Sequence, residues 1–199
     1  MTIKKALITG IAGQDGAFLS KLLLEKNYKV YGIVRSKSKN NLWRLEKLKI
    51  KNKIKLIEIN LNNFKVVLKL IKKEQFKEIY NLASNSSVAE SFKDPRKYLI
   101  NNTGIVVNLL ESIRLFSRKT KFFQVSSSEM YGNNNQKQIE LRSDPRPINP
   151  YAVSKLNSQN ITKIYRLNYN IFAVCGICFN HESSLRDQKY VSKKIITFF

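Results

Sequence analysis

One histidine and two cysteines among 199 residues leave little from which to build a metal centre. The cysteines, Cys175 and Cys178, share a CxxC spacing but lie inside an apolar run, and no second ligand pair exists. They read as free thiols of a buried strand rather than half a zinc site or a redox pair, which suits a reducing cytoplasm. Acidic residues are also scarce: 14 Asp and Glu stand against 36 Lys and Arg, a formal net charge of +22. Such an excess draws polyanions. The lysines, however, are spread over every segment and gathered into no arm or stripe, so solvated faces and a general bias toward Lys, Asn and Ile are favoured over a nucleic-acid partner. No stretch approaches the roughly 20 apolar residues that span a bilayer. The N-terminus enters a strand at once with no secretory leader, so a cytoplasmic chain without a membrane partner is expected. Internal repeats and low-complexity linkers are missing too, and residues 1–199 are expected to form one domain, since hydrophobic residues at 43% suffice for a core.

What is present alternates. Short apolar runs over 6–9, 28–34, 54–59, 78–83, 122–127 and 171–179 predict strands. Between them, helices are predicted through Phe18, Leu19, Leu22 and Leu23, over 64–73, over 95–116 with Leu99, Val106, Leu109, Leu110 and Ile113 inward, and over 150–168. The stretch 35–53 reads as polar and basic without an element, and 191–199 as a helix-like run that is simply interrupted. Strands alternating with helices of this length predict a doubly wound α/β fold, a mostly parallel sheet covered on both faces.

Gly10, Gly13 and Gly16 lie three apart between the first strand and the first helix, in the run GIAGQDG that includes Gln14 and Asp15. Glycine permits the tight turn and lets the backbone approach a pyrophosphate at the positive end of the helix, so this loop points to a dinucleotide. About 20 residues further on, where an acidic group marks a preference for NAD, stands Arg35. A guanidinium pairs with a 2′-phosphate that a carboxylate would repel, which favours NADP. Tyr151 and Lys155 sit at i and i+4 on one helical face after a proline-rich loop, so the ammonium is expected to lower the phenol pKa and make it a proton acceptor. The run SSSEMYG, Ser126 to Gly132, ends the fifth strand, where open parallel sheets place their ligand crevice. A hydroxyl there can orient a sugar hydroxyl, and Glu129 can remove a carbon-bound proton.

The glycine loop, the run NLASNSSV from Asn81 to Val88, the SSSE segment and the Tyr–Lys pair together resemble the extended short-chain dehydrogenases that act on nucleotide sugars. GIAGQDG, GIVR ending at Arg35, and FNHES from Phe179 to Ser183 are similar to the GDP-mannose 4,6-dehydratase family in particular, over essentially the whole chain. The resemblance implies a Rossmann fold with bound NADP, a GDP-mannose substrate and a homo-oligomer, dimer or tetramer. It implies catalytic roles for Ser127, Glu129, Tyr151 and Lys155. It places cofactor contacts at Gly10, Gly13, Gln14, Asp15, Gly16, Arg35, Asn60, Leu61, Leu82, Ala83, Ser84, Ser86, Tyr98, Lys155, His181 and Arg186. The implied reaction is internal redox. Tyr151 assists oxidation at carbon 4 and Glu129 takes the carbon 5 proton. Water leaves carbon 6, where the hydride returns, giving GDP-4-keto-6-deoxymannose.

The sequence departs from the family pattern in four places. Asn60-Leu61 replaces Asp-Leu, Ser184-Leu185 replaces a Pro-Arg pair, Cys175 replaces Asn, and the helix near Pro95 is one residue shorter. Family members run well over 300 residues, so the substrate-binding region that starts near residue 180 is largely missing from these 199. A truncated nucleotide-binding module without turnover, and a related nucleotide-sugar epimerase or reductase, therefore stand as alternatives; a basic nucleic-acid-binding protein is a third, resting on charge alone.

Overall fold

The computed structural model describes residues 3–133, 138–140, 142–188 and 190–198. Six strands, β1 (Lys5–Thr9), β2 (Lys29–Val34), β3 (Lys55–Glu58), β4 (Glu78–Asn81), β5 (Lys121–Ser127) and β6 (Ala173–Cys178), form one parallel sheet in the order β3-β2-β1-β4-β5-β6. The chain starts at the centre, winds outward to β3, then returns to lay β4, β5 and β6 on the other side. Thr9 pairs with Ile33 on one side and Asn81 on the other. The reversal between β1 and β4 opens a crevice at the C-terminal ends of those strands.

Side chains alternate across the pleat, so β1 feeds two cores: Ala6 and Ile8 face one layer and Leu7 the other. On one face, α3 (Phe64–Glu74), α5 (Pro95–Phe116) and α6 (Pro150–Tyr169) cover Leu7, Ile79 and Phe122 with Val67, Ile71, Leu109, Leu110 and Ile113. The other face is covered by α1 (Gln14–Glu25) and α2 (Lys39–Lys47), whose Ala17, Leu23, Leu42 and Leu45 pack with Ile8 and Val30. Both long helices after the crossover start on a capped proline. Asp94 accepts from Lys97 N at 3.0 Å ahead of Pro95, and Asn149 from Ala152 N at 2.8 Å ahead of Pro150.

The doubly wound α/β architecture is as the alternation predicts, and three local readings are corrected. The stretch 35–53, expected to lack an element, contains α2. Leu42 and Leu45, three apart, are fully buried, and so narrow an apolar stripe is hidden in a polar composition. In α1 the expected apolar face is only partly inward: Phe18 and Leu22 are exposed, because small residues, Gly16, Ala17 and Ser20, let the helix sit close to the sheet. The apolar run 171–179 predicts a buried strand, but β6 is the last in the sheet order and only Ala173 within it is fully buried. Cys175 and Cys178 are half-buried free thiols there. A short helix, α4 (Val88–Lys93), precedes α5, and α7 (Val191–Phe198) ends the described chain; residue 199 lies outside it. No described helix is long and apolar enough to cross a membrane.

If α2 is part of the core as its burial indicates, Leu45→Ala destabilises the domain by about 2–5 kcal/mol, against a few tenths for a surface loop. Urea unfolding of the two proteins measures the difference.

Candidate active site

At the C-terminal ends of the strands lies a cavity of about 1360 Å³. Its floor is the glycine loop. Gly10 has φ +67°, and a Cβ there would sit 2.8 Å from Ala83 N; a Cβ at Gly16 would sit 2.5 Å from Gly10 O. Any side chain at either position would therefore displace backbone. No side chain caps α1, whose cap residue is Gly13, so the leading N–H groups of that helix are left for a ligand. The chain after β4 is held against this loop by a buried polar relay. Thr9 Oγ1 donates to Asn81 Oδ1 at 2.5 Å and accepts from Leu82 N and Ala83 N, each at 3.1 Å. Asn81 Nδ2 donates onward to Gln124 Oε1 at 2.7 Å.

Arg35, exposed at the end of β2, stands with Asn60 and Leu61 at one side of the cavity, and Leu82, Ala83, Ser84 and Ser86 follow along the wall. Tyr98 is the exception among the residues singled out from sequence. It is buried in α5 and does not line the cavity, whereas Asn101 and Ile105 of that helix do. The loop beneath is fixed by Asn102, which accepts from Asn85 N at 2.8 Å and donates to Asn85 O at 3.1 Å and Ser154 Oγ at 2.9 Å.

The opposite side holds Ser127, Glu129, Tyr151 and Lys155. Ser127 closes β5, accepts from Glu129 N at 3.3 Å and lies close enough to the Tyr151 hydroxyl to act on its titration. Asn149 Nδ2 donates to Glu129 Oε2 at 3.1 Å, while the same side chain caps α6, so one amide ties the carboxylate to the helix that carries the phenol. Lys155 Nζ donates to Val125 O at 3.1 Å and lies 5.7 Å from the centre of the Tyr151 ring.

Burial dominates the titration of this group. It raises the Tyr151 phenol; the Ser127 hydroxyl opposes that, and the charge of Glu129 adds to it. Lys155 is not among the groups that shift the phenol, so the expectation that this ammonium lowers it is corrected: the cation is directed at a carbonyl. Burial instead pulls Lys155 itself down to about 8.

A strap after β6 completes the wall. His181 Nε2 lies 2.7 Å from Asp15 Oδ1 and its Nδ1 2.7 Å from Phe179 O, contacts that raise the imidazole pKa, the carbonyl most. Arg186 stacks on Tyr190 at 3.7 Å; its Nε is 3.1 Å from Glu182 Oε2 without an aligned hydrogen bond. Leu185, in the Ser184-Leu185 pair that departs from the family pattern, is fully buried against the α1–α2 core. Two residues of the site escaped the sequence reading. The Asn-Pro step before α6 is a legible cap signal for Asn149. Arg44, on α2 and lining the cavity, carried no local signal.

Residues 7–199 match the family described as GDP-mannose 4,6 dehydratase. The GDP-mannose 4,6-dehydratase of Yersinia enterocolitica is 38% identical over 97% of this chain and 54% of its own length, and the GDP-mannose 4,6 dehydratase of Homo sapiens is 39% identical over 96% and 53%. The chain thus spans about half the length of these relatives. Among solved structures, the UDP-glucuronic acid 4-epimerase of Bacillus cereus, in complex with UDP-glucuronic acid and NAD, superposes with a TM-score of 0.85 at 26% identity, covering 96% of this chain and 62% of that one. The dTDP-glucose 4,6-dehydratase of Streptomyces venezuelae, with NAD bound, shares the fold at a TM-score of 0.82 and 19% identity, covering 97% and 61%. With the match running from the first strand to the last residue, the chain belongs to the GDP-mannose 4,6-dehydratase family.

Proposed function

We propose that residues 1–199 are an NADP-binding Rossmann unit with the start of a substrate-binding region from about residue 180, and that its site serves the dehydration of GDP-mannose to GDP-4-keto-6-deoxymannose. The observation that supports this reading is the convergence of Ser127, Glu129 and Tyr151 in the same cavity as the glycine loop. The residues fit a dinucleotide. Gly10 and Gly16 form a cradle that any Cβ would fill, and the uncapped start of α1 supplies donors for a pyrophosphate. Arg35 has no hydrogen-bond or ion-pair partner among the described residues and suits a 2′-phosphate; Asn60 and Leu61 stand on the adenosine side, and Lys155, His181 and Arg186 on the other. When bound, the nicotinamide supplies reversible hydride acceptance, so the conversion consumes no net oxidant.

The chain's own residues supply proton handling. As the phenolate, Tyr151 takes the proton of the sugar 4-hydroxyl; its raised pKa keeps that form scarce near neutral pH, and Ser127 beside it eases its formation by stabilising the charge. Glu129, held by the Asn149 amide, accepts the carbon 5 proton. Lys155 keeps a cation beside the ring below about pH 8.

Incubation of the full chain with GDP-mannose and NADP yields the keto sugar, and Glu129→Gln lowers that yield by about 10²–10⁴-fold with NADP affinity unchanged. An activity indifferent to Glu129→Gln indicates an epimerase or reductase. Intact NADP binding with no keto sugar from the wild-type chain leaves a nucleotide-binding module.

Arg35→Ala weakens NADP by about 10–100-fold, the loss of charge-assisted hydrogen bonds, and leaves NAD within about twofold. Calorimetric titration with both dinucleotides reads the ratio.

The Lys155 pKa gives a stability test. Because the folded-state value is lowered, the cost of burying the ammonium is full below about pH 8 and disappears as pH rises toward the unfolded value of 10.5. Lys155→Met therefore stabilises the domain at pH 7, by up to about 3 kcal/mol, and the gain shrinks toward pH 10.5. Thermal melts across that range measure it.

A further inference from the structure

Arg44 points inward from a lysine-rich helix, its side chain 14% exposed. Its guanidinium faces protein acceptors on three nitrogens: Nε donates to Leu185 O at 2.8 Å, Nη1 to Ala12 O at 3.2 Å, and Nη2 lies 3.6 Å from Asp187 Oδ2. Ala12 belongs to the glycine loop. Leu185 and Asp187 lie some 140 residues later, in a segment that pairs with no strand. Other supports of that segment are the buried Leu185 side chain, Ser183 Oγ donating to Gln14 Oε1 at 2.7 Å, and Lys47 reaching Ser184 O at 3.3 Å. A planar fork of donors joins two backbones at once, which an ammonium on a flexible stem cannot do.

We propose that Arg44 is a positioning residue that locks the 183–187 strap onto the glycine loop, so that the half of the cleft beyond the pyrophosphate forms only while this clamp is closed. This rests on the dinucleotide-binding reading of the cleft and adds to it a residue that touches no ligand. The strap carries Arg186, stacked on Tyr190, and follows His181, which contacts Asp15 at the start of α1. Tyr190, three residues beyond the strap, lines the same cavity as Arg44 and Tyr151. Releasing it removes one wall from the pyrophosphate and nicotinamide side and leaves Arg35, Asn60 and Leu61 in place.

The test compares NADP with 2′,5′-ADP, which keeps the adenosine end and lacks the nicotinamide riboside, by calorimetry on the full chain. Arg44→Gln is expected to weaken NADP at least tenfold and 2′,5′-ADP less than twofold, and Arg44→Lys to resemble Arg44→Gln. Equal losses for the two ligands would mean a direct phosphate contact or a general structural defect and overturn the proposal, as would no loss for either. Should Arg44→Gln fail to fold, Ser183→Ala opens the same strap from its own side and is expected to weaken NADP about threefold with 2′,5′-ADP unchanged; equal or absent losses there overturn the clamp as well. If the wild-type chain binds neither ligand, the dinucleotide reading itself falls, which separates that failure from failure of the clamp.

Discussion

The backbone of Ala83 passes so close to Gly10 that the space between them excludes even a methyl group. That approach is held by one hydroxyl. Thr9 accepts from two successive amides after β4 and donates to Asn81, which in turn reaches Gln124 on β5. A buried polar relay of this kind is costly to break, since each orphaned member would keep its desolvation penalty. It fixes β1, β4 and β5 where the sheet reverses, and therefore fixes the crevice. With that spacing set, the end of β5 delivers Ser127 to the cavity, and α6, capped by Asn149, brings Tyr151 against it. The position of the phenol relative to the glycine loop is thus a consequence of sheet register.

The same burial that creates the site sets its chemistry. Removing Tyr151 and Lys155 from water pushes the phenol up and the ammonium down, so their two pKa values move apart. Each shift disfavours the charged form, so the pair resists ionisation until something compensates. Ser127 is the compensating group for the phenol within the protein. Glu129 is half-buried, with the Asn149 amide and the backbone turn after Ser127 beside it.

The period of the apolar residues made the sheet, its parallel class and the long helices legible, because two covered faces demand nearly continuous apolar strands. The glycine loop and the Tyr–Lys helix were legible because their geometry is local, confined to a turn or a single helical face. What escaped is non-local. Two leucines inside a basic stretch define α2, and only the packed sheet reveals that they have somewhere to go. Arg44 joins segments about 140 residues apart, which no spacing rule encodes. Tyr98 falls on the correct helix but outside the cavity wall, and the direction of the Lys155 ammonium depends on a carbonyl of β5 that the i, i+4 rule ignores.

The charge excess shows the same divide between composition and placement. The described wall of the cavity carries four cations, Arg35, Arg44, Lys155 and Arg186, and four anions, Asp15, Glu58, Glu129 and Asp187. A chain of net charge +22 therefore encloses a cleft that is formally balanced. Lysines instead begin β1, β2, β3 and β5, at the edge of the sheet away from the site. The positive groups the cleft does present are the backbone N–H groups at the start of α1 and single guanidinium groups, each directional and short-ranged. Recognition built this way depends on the loop being held in place, and a diffuse positive field that salt would screen within about 10 Å contributes little to it.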